Sequence, residues 1–234
     1  ARAIFTLLIV ALACGAFATR RLALDRRPMH ADEANQAMKF GLLLEEGVYR
    51  YDPLDHHGPT LYYLTLPVAW LGGATGIADM DEARIRLLPV LFGSALILLY
   101  LGAGEAMGRT AAVLGALMAA LSPGLFFFSR YYIQEILLVF FTFAALLAGW
   151  RLGQRPTAGR AIVLGLALGL MFATKATTLV AWFAMACALA AVAGRSALHL
   201  VLTRARLTLY IAGTAAVVCV VLFSSFFTHP IGVW

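Results

Sequence analysis

Eight apolar runs punctuate the chain, at roughly 3–19, 59–73, 87–103, 111–128, 136–150, 161–173, 176–194 and 207–227. They are rich in Leu and Ala with scattered Gly, and none alternates with the period of two that a membrane β-strand requires. A helix needs about 20 residues to cross a bilayer. The run 161–173 reaches that length once Thr174 and its neighbours are placed in the interface. The first run, Ala1–Thr19, is long for a signal peptide and lacks a convincing cleavage site, so it reads as a first span. The run 59–73 is different: it is short, is broken by Pro67, and carries Tyr62, Tyr63 and Trp70, which favour the headgroup level. The pattern predicts an all-α polytopic integral membrane protein with about seven transmembrane helices, a single transmembrane domain over 1–234.

The stretch between the first two spans, about 20–86, reads as a long external loop that contains a juxtamembrane helix. His30 or Asp32 can cap that helix, Ala34, Ala37, Met38, Gly41 and Leu42 form a stripe at helical spacing, and Gly47 stops it. One apolar stripe beside a membrane predicts a helix lying along the surface.

Composition supports the membrane reading, at 62% hydrophobic, 13% charged and a mean hydropathy of +0.85. The net charge of +6 is spread over short loops, which fits positive-inside topology and excludes nucleic acid as a partner. Cys14, Cys187 and Cys219 all sit in apolar runs without metal-like spacing, and are expected to be small buried hydrophobes. Charge also decides whether 59–73 crosses. If it does not, and the N-terminus is cytoplasmic, the inside holds Arg2, Arg109, Arg151, Arg155, Arg160, Arg195, Arg204 and Arg206 against Glu105, a balance of +7. The other ten basic and eleven acidic residues leave −1 outside. If it does cross, six of those arginines join the acidic first loop, against the positive-inside tendency. The segment 59–73 is therefore read as interfacial or re-entrant.

With that topology His30, Asp32, Glu33, His56, His57, Arg84, Arg86, Arg130, Glu135 and Lys175 all fall on one side of the membrane. Ionisable groups beside apolar helices are costly, and are kept for function or for pairing. Each has a plainer reading beside a chemical one. Asp32 is a general base or a helix N-cap. Arg130 and Lys175 bind phosphate or snorkel to headgroups. His56-His57 is a metal ligand or a hydrogen-bonded loop. Glu45, Glu46, Asp79, Asp81 and Glu82 read as solvated loop charges. The Phe126-Phe127-Phe128 cluster and Tyr131-Tyr132 read as interfacial packing. A transporter would also carry intramembrane charge, but near the midplane and not gathered at one surface.

Five segments in order resemble the GT-C glycosyltransferases, in particular the protein O-mannosyltransferase and aminoarabinose transferase superfamily. They are His30-Ala-Asp32-Glu33; Asp55-His56-His57-Gly58-Pro59; Glu82-Ala-Arg84-Ile-Arg86-Leu-Leu-Pro89; Leu121-Ser122-Pro123 with Ser129-Arg130-Tyr131-Tyr132-Ile133-Gln134-Glu135; and Ala173-Thr174-Lys175. His57-Gly58 stands where relatives carry Pro or Lys, and Glu135 where many carry Asp. The resemblance implies an inverting membrane glycosyltransferase that takes a sugar from a polyprenyl-phosphate carrier on the extracytoplasmic face of a plasma or inner membrane. It implies Asp32 and Glu33 as catalytic carboxylates, and His56, His57, Arg84, Arg130 and Lys175 around the lipid phosphate. By analogy with oligosaccharyltransferase relatives it offers Asp32 with Glu135 as a divalent-metal pair. Family chains are about twice as long, so an N-terminal half is implied. A non-catalytic scaffold subunit of a larger membrane complex is the alternative. The implied partners are the lipid-linked sugar, membrane lipids and such a complex. The topology has a direct test: a cysteine at Gly73 is expected to react with an impermeant maleimide from outside, and one at Ala103 from inside.

Overall fold

The structure is a computed structural model and describes residues 2–52, 57–194 and 204–233. Asp55 and His56 lie outside the described residues, as does Arg195. Among the described residues the chain is helical and forms no sheet: α1 (Arg2–Arg21), α2 (Ala31–Glu46), α3 (Thr60–Leu71), α4 (Glu82–Leu98), α5 (Tyr100–Ala103), α6 (Arg109–Leu121), α7 (Pro123–Phe128), α8 (Glu135–Gln154), α9 (Ala158–Thr174), α10 (Thr178–Ala193) and α11 (Ala205–Phe223). By length and composition α1, α4 with α5, α8 and α11 can each cross a membrane, and α3, α6, α9 and α10 are shorter apolar helices. The protein is an integral membrane protein.

Two compact units make up the chain, Ala1–Tyr49 with Thr60–Phe143, and Arg50–Pro59 with Ala144–Trp234. In the first, Phe5, Ile9, Ala13 and Ala16 line one face of α1 and meet Ile97 of α4 and Ala112, Ala116 and Ala119 of α6. Lipid tails are as apolar as leucine, so helices in a bilayer associate through close packing at small residues. The alanine ladder of α6 supplies that closeness. The end of α1 is fastened by the fully buried Arg20, which donates to the carbonyl oxygens of Gly93 (2.8 Å) and Ala119 (3.2 Å). Ala23 then turns the chain in the left-handed region, at φ 52°.

Several sequence expectations change here. The run 111–128 is two helices, because Ser122 precedes a proline and takes an extended conformation (φ −58°, ψ 120°). Its Oγ accepts from the Leu125 N–H and starts α7. In α2, His30 is the cap and Gly47 the left-handed stop, as the alternatives allowed. The stripe is rotated, however: Glu33, Gln36, Ala37, Phe40, Gly41 and Leu43 are buried, while Met38 and Leu42 are exposed. The polar pair Glu33 and Gln36 takes the buried face, and hydrophobicity alone could not register that. Cys14 and Cys187 are exposed, not buried. The loop acids also build structure. Glu45 accepts from the Ile77 N–H, Asp79 from the N–H groups of Thr75 and Gly76, and Asp81 caps α4 at the Arg84 N–H.

In the second unit α9 lies against α11 through Gly165 and Gly169. A Cβ at Gly165 would sit 2.5 Å from the Ile211 carbonyl oxygen, and one at Gly169 would sit 2.8 Å from Val218 Cβ. Phe172 stacks on Trp182, and Phe223 meets both Phe172 and Tyr51 edge-on. Overpacking such a contact costs about 1–3 kcal/mol. Gly169→Leu is therefore expected to lower the melting temperature of the purified protein, measured by thermal aggregation in detergent, while Gly153→Leu, at a position with open space around it, leaves it unchanged.

Candidate functional site

The first unit carries a buried polar hub. Arg86, in the first turns of α4, directs Nε and Nη2 at the two oxygens of Glu33, each at 2.8 Å. Its Nη1 donates to the carbonyl oxygens of Leu24 and Arg27, and Nη2 also reaches Pro28. Both side chains are shut off from solvent. Glu33 accepts three further bonds, from Arg27 Nη2 (2.9 Å), the Tyr132 N–H (2.9 Å) and, as the return half of a capping box, the His30 N–H (3.3 Å). Burial alone would raise the Glu33 carboxyl. The Arg86 hydrogen bonds, the Tyr132 and His30 N–H groups and the Arg86 charge outweigh it, and hold the group below the ordinary carboxylate range.

The hub sets the position of Asp32. His30 Nδ1 accepts from the Asp32 N–H (3.3 Å) and so performs the capping that Asp32 was able to offer. The Asp32 side chain remains 68% exposed, with its Oδ2 3.4 Å from His30 Nδ1. Tyr131 lies beside it: burial first, then the negative charges of Asp32, Glu33 and Glu135, push its phenol up, with Arg27 opposing. Asp32 and Glu135 thus act on one phenol.

A second polar layer stands behind the hub. The hydroxyl of Tyr62 and Nε2 of Gln134 both donate to Gln36 Oε1, and Thr65 Oγ1 lies 2.9 Å from the Tyr132 hydroxyl. These contacts tie α3, the former run 59–73, to α2 and to the segment entering α8.

A cavity of about 370 Å³ opens next to the hub. Arg27, Arg86 and Arg130 give it charge, and Leu24, Pro123, Phe126 and Phe127 give it an apolar wall. The Arg27 guanidinium lies 4.7 Å from the Tyr131 ring centroid and 5.6 Å from that of Phe127, and Arg130 lies 5.2 Å from that of Phe126. Arg130 also donates to the carbonyl of the left-handed Ala23. Sequence reasoning missed Arg27 and took the Phe cluster for interfacial packing. The usable signal was topological, since an arginine pair, Arg26-Arg27, in an external loop runs against positive-inside and needs a local reason.

The remaining expected site residues lie elsewhere. Arg84 is exposed and donates to the Asp79 carbonyl (2.7 Å), so it does not line the cavity. His57 and Lys175 belong to the second unit, where they form an isolated antiparallel bridge. Gly58 is required there, because the Gly58 N–H donates to the Thr174 carbonyl and a Cβ would lie 1.9 Å from the Ala173 oxygen. The second and fifth motif segments are thus paired through their backbones. For a metal, Asp32 and Glu135 offer two carboxylates. Among the described residues no group of three or more His, Cys, Asp or Glu gathers that could hold an ion, so no step is routed through one.

A family model described as dolichyl-phosphate-mannose-protein mannosyltransferase matches residues 64–227, more than half of the chain. The chain belongs to that family. The same architecture occurs in the S. cerevisiae protein O-mannosyltransferase Pmt1-Pmt2 complex bound to the sugar donor. The match has a TM-score of 0.74 and 21% identity over 97% of this chain. At that identity the likeness establishes the fold, and the chain spans about a third, 34%, of that yeast chain. No curated protein sequence matches.

The hub makes a stability prediction. Removing one member of a buried ion pair typically costs about 3–5 kcal/mol, so Glu33→Gln should lower the melting temperature sharply. The sign with pH follows from the depressed carboxyl. Its contribution is complete above the unfolded value of about 4.3 and is lost as pH falls through the lower folded value. Wild type should therefore lose thermal stability on acidification through that window, and Glu33→Gln should lose less.

Proposed function

We propose that the chain forms the donor-side part of a membrane glycosyltransferase that moves a sugar from a polyprenyl phosphate to a hydroxyl acceptor, with inversion at the anomeric carbon. One observation carries this reading: Asp32 is an exposed carboxylate on a helix turn that is rigidly held, and it has been relieved of the capping duty that was its plainer explanation. Family membership supplies the reaction class.

In this reaction Asp32 accepts the proton of the acceptor hydroxyl as its oxygen attacks the anomeric carbon. The bond from that carbon to the phosphate oxygen breaks, and polyprenyl phosphate leaves with the electron pair. A base in this role contributes about 10²–10⁴-fold. Cations near the leaving phosphate stabilise its developing charge. Arg130, which lines the cavity of the first unit, fills that role. Glu33, whose oxygens are taken by Arg86, Arg27 and backbone N–H groups, positions Asp32 and does not exchange protons. On the same reading the N-terminus is cytoplasmic, α3 stays at the membrane surface, and the site faces the extracytoplasmic side. The yeast structure, a two-protein complex with its donor, supports a lipid-linked sugar and a larger assembly as partners.

Asp32→Asn tests the assignment without disturbing the cap. The variant is expected to melt like wild type, to bind lipid-linked donor, and to release polyprenyl phosphate from a labelled donor about a hundredfold or more slowly. Transfer near the wild-type rate would remove Asp32 as the base. A wild-type protein that transfers from no donor would favour the scaffold reading.

A further inference from the structure

The transfer reading leaves a buried group without a task. Tyr131, between α7 and α8, is only 7% exposed. Phe127 stacks on its ring at 5.3 Å, the Arg27 guanidinium lies 4.7 Å from its centroid, and the His30 ring lies at 6.0 Å. The next residue is tied to the hub, because the Tyr132 N–H donates to Glu33. Side chain and backbone are therefore both fixed, and the packed ring is not open to a stacking ligand.

The hydroxyl is in a different position. The buried phenols of Tyr62 and Tyr132 are bonded, to Gln36 and to Thr65. That of Tyr131 bonds none of the described residues. A polar group taken from water without a partner is destabilising, which makes this hydroxyl a place for a ligand. Of the charges that act on it, that of Asp32 is the strongest, followed by that of Glu33. Asp32 Oδ2 itself lies 3.4 Å from Nδ1 of the His30 ring that packs beside Tyr131. Burial and these carboxylates keep the phenol neutral, so an O–H donor stands near a carboxylate acceptor.

That combination selects the ligand. Asp32 and Glu135 turn an anion away. An ammonium would satisfy the carboxylate but give the phenol proton no acceptor. A hydroxyl serves both, since its oxygen accepts and its proton donates.

We infer that Tyr131 binds the acceptor hydroxyl, donating to the oxygen whose own proton Asp32 removes. The inference rests on the reading of Asp32 as the base. As that oxygen attacks the anomeric carbon its proton passes to Asp32, and the phenol keeps its own. The contribution of Tyr131 is orientation: two contacts fix the oxygen where one would leave it free to turn.

Steady-state transfer by the purified protein in detergent tests this, with farnesyl phosphate bearing mannose, glucose or galactose as donor and a threonine-containing peptide or octanol as acceptor. Tyr131→Phe keeps the ring and its packing and removes only the oxygen. It is expected to lower kcat/KM for the acceptor about tenfold, to leave KM for the donor within about twofold, and to melt like wild type. Tyr132→Phe, which breaks the bond to Thr65, sets the melting shift that a lost internal hydroxyl bond produces. An acceptor kcat/KM in Tyr131→Phe within about twofold of wild type, beside an inactive Asp32→Asn, would overturn the inference and leave the base in place. A melting shift as large as that of Tyr132→Phe would overturn it too, by showing the hydroxyl already bonded inside the protein. So would a loss confined to the donor's KM, which would assign the hydroxyl to the donor. If Asp32→Asn transfers as well as wild type, or wild type transfers from none of these donors, the transfer reading itself fails and this inference falls with it.

Discussion

The bidentate pair between Arg86 and Glu33 is the contact on which the first unit's polar architecture depends. Burying two opposite charges is costly unless each lone pair and N–H finds a partner. Here the loop carbonyls of Leu24, Arg27 and Pro28 complete Arg86, and Arg27, His30 and Tyr132 complete Glu33. The demand for satisfaction is what organises the neighbourhood. It folds the loop after α1 around the guanidinium, fixes the first turn of α2, and draws in the segment between α7 and α8. Asp32 occupies the next residue of that turn and faces outward because its neighbour faces inward.

The helices themselves are assembled by a different principle. Phe5, Ile9, Ala13 and Ala16 of α1 find Ala112, Ala116 and Ala119, and Gly165 and Gly169 let α11 approach α9. Small residues allow this in a medium where apolar burial brings little. Arg20 joins the two regimes: it caps carbonyls of α4 and α6 from the end of α1, just before the chain enters the loop that the hub organises.

The sequence made the spans, the acidic first loop, the α2 stop at Gly47 and the carboxylates near its start legible, because length, charge bias and glycine chemistry are local properties. What it hid was side-chain direction. Periodicity put Met38 and Leu42 on the inner face of α2, but two hydrogen-bonding side chains, Glu33 and Gln36, outcompeted them for it. Glu33 and Asp32 are indistinguishable by composition and opposite in environment. Arg84 and Arg86, two residues apart, separate in the same way: one serves a surface turn and the other fills the hub. Arg27 went unnoticed because its importance comes from rings that lie about 100 positions away in the chain, Phe127 and Tyr131. The Ser122–Pro123 break was readable from the proline rule and was overridden by the hydrophobicity of the whole run.

The claim that one buried pair holds this arrangement is tested most directly by a double-mutant cycle on stability, with Glu33→Gln, Arg86→Gln and both together. Partners in one buried network show coupling of about 0.5–3 kcal/mol. The account predicts a value at the upper end, with the double variant more stable than the summed single losses. Additive losses, within about 0.5 kcal/mol, would contradict it.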